Sequence, residues 1–246
     1  MVFLEEANVH IFDLLEEKMR STFTFLLLLL SSPIVFAGGS FPQDLKFTNA
    51  NCASSGICIL ATDFVFIGPN LVWQADKGNK TDGASIPSLL QGGIIGNSFD
   101  EDLIKAAVIH DHYCDRRVRS WYKTHRVFYD ALVADGMSKA RAKLLYTGVL
   151  VGGPKWLTVI QGKSCGYGQA CINNTVGVPT TFIKGTDHSD EAKERFEKIA
   201  EQVEQNDDIS LEEIFELVKQ EVGPDSFLDA GDTLELRKGF PSQIKQ

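Results

Sequence analysis

The stretch that most constrains this chain runs from Asp100 to Asp115, where an apolar helix pattern (Leu103, Ile104, Ala106, Ala107, Val108) runs into Ile109-His110-Asp111-His112-Tyr113-Cys114-Asp115. At 3.6 residues per turn, Ala107, His110, Asp111 and Cys114 fall on neighbouring positions of one side. A helix this apolar has to be covered by other elements, so the polar cluster on that side, His110, Asp111 and Cys114, is expected to be buried. Ser98 followed by Glu101 has the form of a capping box that would start it.

The elements on either side follow from local chemistry. Residues 58–67, CILATDFVFI, form a β-branched and aromatic run that predicts a strand. Gly68-Pro69-Asn70 is turn chemistry, and residues 71–75 return as a hairpin partner. A polar turn at 76–80 then delivers the chain to a second dense block, TDGASIP at 81–87. Beyond the arginine-rich run 116–126, Val127, Phe128, Ala131 and Leu132 mark a helix over about 124–134. Ser138 caps a third helix through Leu150, and Gly152-Gly153-Pro154 stops it. Residues 155–179 are glycine-rich and read as loop or short strand. The expected fold class is α+β: a small antiparallel sheet packed with a three-helix core, followed by an acidic helical extension.

Both ends differ from this middle. Met19-Arg20, the apolar residues 23–30 and Val35-Phe36-Ala37 make a basic start, a short hydrophobic run and a small-residue cleavage site. Residues 1–37 therefore read as a secretory signal peptide. Pro33 and the shortness of the run speak against a membrane anchor, and no later stretch is apolar enough to cross a bilayer. Residues 1–18 are acidic and suit an export signal poorly, which makes Met19 the expected start. From 187 to 246 the chain holds 17 acidic and seven basic residues, whereas 38–186 holds 11 and 15. In the acidic part, Phe196, Ile199, Ala200 and Val203 form one helical stripe and Leu211, Ile214, Phe215 and Val218 another, with Ser210 and Glu213 as a capping box. The resulting divisions are 1–37, 38–186 and 187–246. Export, to the periplasm or the medium, favours disulfides, and local pairing of Cys52 with Cys58 and Cys165 with Cys171 is the simplest framework. Zinc is the competing reading, but the spacing exceeds that of common zinc pairs. Cys114 is left over, a buried thiol.

TDGASIP, AAVIHDHYC from Ala106, Asp130 in RVFYDAL, and LLYTGVLVGGPKW ending at Trp156 together resemble domain-of-unknown-function family 1353, found in phages and bacteria. The resemblance spans about 64–156 and implies a fold core; it brings no activity with it. This chain departs from the family in having its tyrosine at Tyr113 and a cysteine at the usual aromatic place, Cys114. A shorter likeness, confined to the His110-Asp111 doublet and the glycines Gly92, Gly93 and Gly96, is to secreted phospholipases A2, in which histidine activates water and aspartate binds calcium.

Histidine titrates near working pH, so His110 is the candidate general base or metal ligand. Asp130 or Asp82 is placed to orient its second nitrogen, and Asp111 to bind a cation or hold the TDGASIP loop. Ser85 reads as a nucleophile or a turn cap. His112 and His125 read as surface residues. Arg116, Arg117 and Arg119, with Lys123 and Arg126, form a cationic run suited to phosphate or carboxylate groups, or to the acidic tail. A divalent cation is the one cofactor this pattern points to. The expected function is an exported hydrolase of an anionic envelope substrate, lipid or cell-wall polymer; the alternative is a non-catalytic envelope-binding or phage-type accessory module in which the His-Asp pair is structural. Nucleic acid is not an expected partner of an exported acidic chain.

Overall fold

Strand β1 (Cys58–Ile59) pairs antiparallel with β4 (Lys80–Thr81), and between them β2 (Phe64–Ile67) pairs antiparallel with β3 (Val72–Ala75), giving two nested ladders. These come from a computed structural model that describes residues 39–49, 51–83, 99–164, 175–233 and 235–236. The expectations placed on 1–37, Ser85, Gly92, Gly93, Gly96, Ser98 and the Cys165–Cys171 pair lie outside the described residues. The single strand expected over 58–67 is broken, because Leu60 donates its amide to Asn79 and Ala61 donates to Lys46, so the backbone changes partner in the middle. Phe64, Phe66, Trp73 and Ala75 alternate inward, as the strand period of two requires. Cys52, in the short helix α1 (Cys52–Ser55), is disulfide-bonded to Cys58 and ties α1 to β1.

The ladders lean on helix α2 (Glu101–Arg116), which packs against β3 and β4 on one side and α3 (Trp121–Ala134) on the other. This double coverage buries residues 106–110 and also His112 and Tyr113. Helix α2 starts after Asp100, whose backbone carbonyl accepts from the Leu103 and Ile104 amides, and closes at Arg117, a left-handed residue (φ 54°) whose amide donates to Tyr113 O at 2.8 Å. Helix α3 starts three residues earlier than its apolar stripe indicates, since Ser120 accepts from the Lys123 amide. Ser138 caps α4 (Lys139–Gly152) as expected. Helix α4 is buried from Ala142 to Gly152 because it lies between α3 and two further helices, α5 (Asp190–Glu204) and α6 (Leu211–Val222).

After α4, where a loop or short strand is expected, the chain forms two long strands. Strand β5 (Lys155–Ser164) and strand β6 (Thr175–Lys184) form a ten-residue antiparallel pair, with Gly162 opposite Gly177 and Pro179 opposite Ile160. Pro179 is tolerated because β6 is the edge of its sheet, ordered β6-β5-β7. Helix α7 (Ser226–Ala230) and strand β7 (Glu235–Leu236), parallel to β5, are the last described elements. The apolar stripes of α5 and α6, including Phe196, Ile199, Ile214 and Val218, join the same core as Phe64, Ile109 and Trp121. The fold is α+β with small antiparallel sheets and a helical centre. Among the described residues no helix is long and apolar enough to cross a membrane.

Candidate functional site

A cleft of about 320 Å³ opens where the last turns of α2 face β4 and the end of α4. His110, Asp111 and Cys114 line one side of it, Thr81 and Asp82 the other, and Gly153 closes one end. The two dense sequence blocks, about 30 residues apart, thus meet at one opening. Thr81 is the joint between them. Its hydroxyl donates to Asp111 Oδ2 at 2.6 Å and accepts the Gly83 amide at 3.1 Å, so the start of the TDGASIP block is clasped to α2. Among the described residues the loop is held through a threonine hydroxyl.

His110 sits at the centre of a tight group. Its Nε2 is 2.9 Å from His125 Nδ1 and 3.5 Å from Cys114 Sγ, and its Nδ1 is 3.7 Å from Asp111 Oδ1. Cys114 follows one turn after His110 on α2, while α3 contributes His125. Phe128 packs on the His110 ring with centroids 5.0 Å apart, and Trp121 meets His125 at 5.5 Å. Gly153 is required here, since a Cβ on it would come within 3.0 Å of the His125 ring and 2.4 Å of Val149 O.

Burial sets the charge states of this group. Desolvation, reinforced by His110 and Lys155, holds His125 well below the usual histidine range and therefore neutral. Its Nε2 makes no hydrogen bond among the described residues, although the Pro154 carbonyl lies where it favours a proton on the ring. Desolvation likewise pushes the Cys114 thiol well up, with Asp111 and Asp115 adding to the effect, so no free thiolate is poised for attack. Asp111 is raised by burial, against the opposing pull of His110 and Thr81.

The remaining sequence-derived candidates divide. Asp82 is exposed and lines the cleft. Asp130 does not line it: its neighbours are Arg126 and Tyr129, and burial raises its pKa to about 6. The polar side chain that α3 brings to His110 is His125. Arg116 pairs with Asp76 at 3.3 Å, and Arg119 donates to Val72 O at 2.8 Å and lies 4.0 Å over the Trp73 ring, so both brace the β2–β3 hairpin. Arg117 is exposed at the end of α2, and its charge is felt at Cys114. Lys123 and Arg126 hold the acidic part of the chain, through Asp232 at 2.9 Å and Glu212 at 2.6 Å.

Two histidines expected at the surface are buried. His112 Nδ1 lies 3.1 Å from Asn79 Oδ1, which fixes the turn before β4, and burial lowers its pKa. His125 is completely enclosed. Nothing in its sequence context, a basic run with Lys123 and Arg126, separates it from a surface residue. Thr81 stood within a recognised block, and its position two residues before Gly83 is the signal that would have found it.

Residues 58–149 match family DUF1353, described as a protein of unknown function. The matched segment runs from β1 almost to the end of α4 and contains His110, Asp111, Cys114 and His125. Two proteins of Sinorhizobium fredii strain NGR234 are similar: "Uncharacterized protein y4iH", 47% identical over 127 residues, and "Uncharacterized protein y4jT", 35% identical over 132 residues. Each match covers 51% of this chain; it covers 52% of the first relative and 39% of the second. The chain therefore spans about half the length, or less, of these relatives. No solved structure matches it.

Proposed function

We propose that this protein is an exported hydrolase that acts on an anionic envelope substrate, with His110 at the reacting centre. The observation that carries the reading is the convergence of His110, Asp111 and Thr81 on one open cleft. A histidine there, with a carboxylate 3.7 Å from its Nδ1, is equipped to activate water through a metal it holds, or as a base once its Nε2 exchanges the His125 hydrogen bond for one from water. Water is the favoured nucleophile, because the thiol beside His110 is kept protonated by burial. The cleft walls carry Asp82, Asp111 and Asp115 against Lys80, so a substrate's negative groups belong outside them, toward Arg117, whose charge is felt at Cys114, with a neutral bond before His110.

The non-catalytic reading has its own support in the Thr81–Asp111 bond and the His110–His125 pair, both of which join elements whatever else they do. Purified protein incubated with phosphatidylglycerol vesicles and with isolated cell-wall sacculi separates the two. The hydrolase reading expects product release that falls by about 100-fold or more in His110→Gln and is retained in Asp130→Asn. Absence of product from both substrates, together with a large drop in melting temperature for His110→Gln, would leave the clasp as the role of this group.

A further inference from the structure

We propose that His110, Cys114 and His125 form a binding site for a zinc-class divalent cation. One donor atom from each lies within 4.8 Å of the other two, on side chains that are buried or nearly so. The spacing of four residues on α2 puts His110 and Cys114 on one face, and α3 brings His125 against them. In a tetrahedral zinc site, nitrogen and sulfur donors stand about 3.5 Å apart and two nitrogens about 3.3 Å apart, as Zn–N near 2.0–2.1 Å and Zn–S near 2.3 Å require. Cys114 Sγ and His110 Nε2 already have that separation, at 3.5 Å. The two histidine nitrogens, at 2.9 Å, would have to open by about 0.4 Å, giving up one hydrogen bond for two coordinate bonds.

The surroundings fit a cation better than they fit an anion. Asp111 stands behind His110, with Oδ1 3.7 Å from Nδ1, and is itself fixed by Thr81. A carboxylate on the far nitrogen of a ligating histidine orients the ring and raises its basicity. Asp82 and Asp115 add negative charge to the cleft wall. Gly153 gives the His125 ring the room it occupies. Imidazole and thiolate donors select zinc over calcium or magnesium, which require oxygen ligands. Three protein ligands leave a fourth position, and His110 and Cys114 both face the cleft, where water or a substrate oxygen can reach it. Binding converts the Cys114 thiol to a thiolate and releases about one proton per ion to the buffer. The inference shares its cleft with the hydrolytic reading but rests on the three donors alone, so either can fail without the other.

The test uses the full chain, stripped with a chelator and titrated with Zn²⁺, Co²⁺ and Ca²⁺. The expected result is one Zn²⁺ per chain, about one proton released, a thiolate-to-cobalt charge-transfer band with Co²⁺, and no response to Ca²⁺. Cys114→Ser, nearly the same size and checked for folding by far-ultraviolet circular dichroism, should abolish the band and weaken Zn²⁺ binding more than Asp111→Asn does. For that orienting carboxylate a loss of about 10–100-fold is expected. Failure to bind Zn²⁺ would overturn the proposal, as would a charge-transfer band or Zn²⁺ affinity unchanged in Cys114→Ser, which would put the ion at other thiols. Zinc binding without hydrolysis would keep the site and remove the enzyme. Hydrolysis by a protein that binds no Zn²⁺, undiminished by Cys114→Ser, would do the reverse.

Discussion

Lys155 sits in an environment far from the one its type prefers. It begins β5 fully buried, with Nζ 3.3 Å from the carbonyl oxygens of both Val151 and Gly153 and 5.5 Å above the Trp121 ring. Desolvation brings its pKa down to about 7, with Lys184 pushing the same way and Asp225 and Asp187 opposing. Between that value and the unfolded value of about 10.4, the unfolded chain binds the extra proton, so stability rises with pH through this window. Below pH 7 the cost of the buried charge is fully in force. Lys155→Met should therefore raise the urea midpoint at pH 6–7, by an amount on the order of a few kcal/mol in stability, and the advantage should shrink toward pH 10. A variant less stable than the parent at pH 6, or a difference that does not change with pH, would show that the two carbonyl contacts outweigh the charge. No sequence pattern marks Lys155, because a lone lysine after Gly-Gly-Pro looks like a solvated loop. His110 and Asp111 were legible for the opposite reason: polar groups at the end of an apolar helix must be accounted for. His125 and His112 were not, since their burial comes from partners, α4 and the turn at Asn79, that only the tertiary fold supplies.

At the scale of elements, the joint between β4 and α2 depends on one hydroxyl that donates to Asp111 and accepts from Gly83. Thr81→Val keeps the shape and removes both bonds, leaving the Asp111 carboxylate buried and short of a donor. The expected cost is about 1–3 kcal/mol, read as a lower melting temperature, whereas Thr81→Ser should recover most of it. Equal losses in the serine and valine variants would assign the effect to the methyl group instead. The sequence made this joint half-readable: TDGASIP and His110-Asp111 stood out as two blocks, and their meeting followed from chemistry, but the connecting atom did not. Capping residues were readable outright, Ser138 at α4 and the Ser210–Glu213 box at α6, because caps are local. The β5–β6 pair was hidden by Gly162, Gly177 and Pro179, residues that usually end strands. Here the two glycines pair across the ladder and the proline sits on an edge.

At the scale of the molecule the question is what attaches the acidic helices α5 and α6 to the rest. Charge is the reading that composition invites, since the net −10 of residues 187–246 follows a region of net +4. Polar ties do exist, from Arg126 to Glu212 and from Lys123 to Asp232. They are partly exposed, however, and pairs of that kind contribute roughly 0–1 kcal/mol. The apolar contribution is larger: Ile214 and Val218 of α6 and Ile199 of α5 are fully enclosed, in the same core as Trp121. Replacing a buried isoleucine with alanine costs about 2–5 kcal/mol. Ile214→Ala should thus destabilise the whole protein by more than Arg126→Gln and Lys123→Gln combined, and unfolding followed by tryptophan fluorescence should coincide with that followed by circular dichroism, because one core carries both signals. High salt should change the parent's stability only slightly. By the same argument, a chain ending at residue 186 should expose the buried faces of α4 and fail to unfold cooperatively. A truncated protein that keeps the parent's melting temperature, or an Ile214→Ala transition confined to α5 and α6, would instead make residues 187–246 a separately stable attachment.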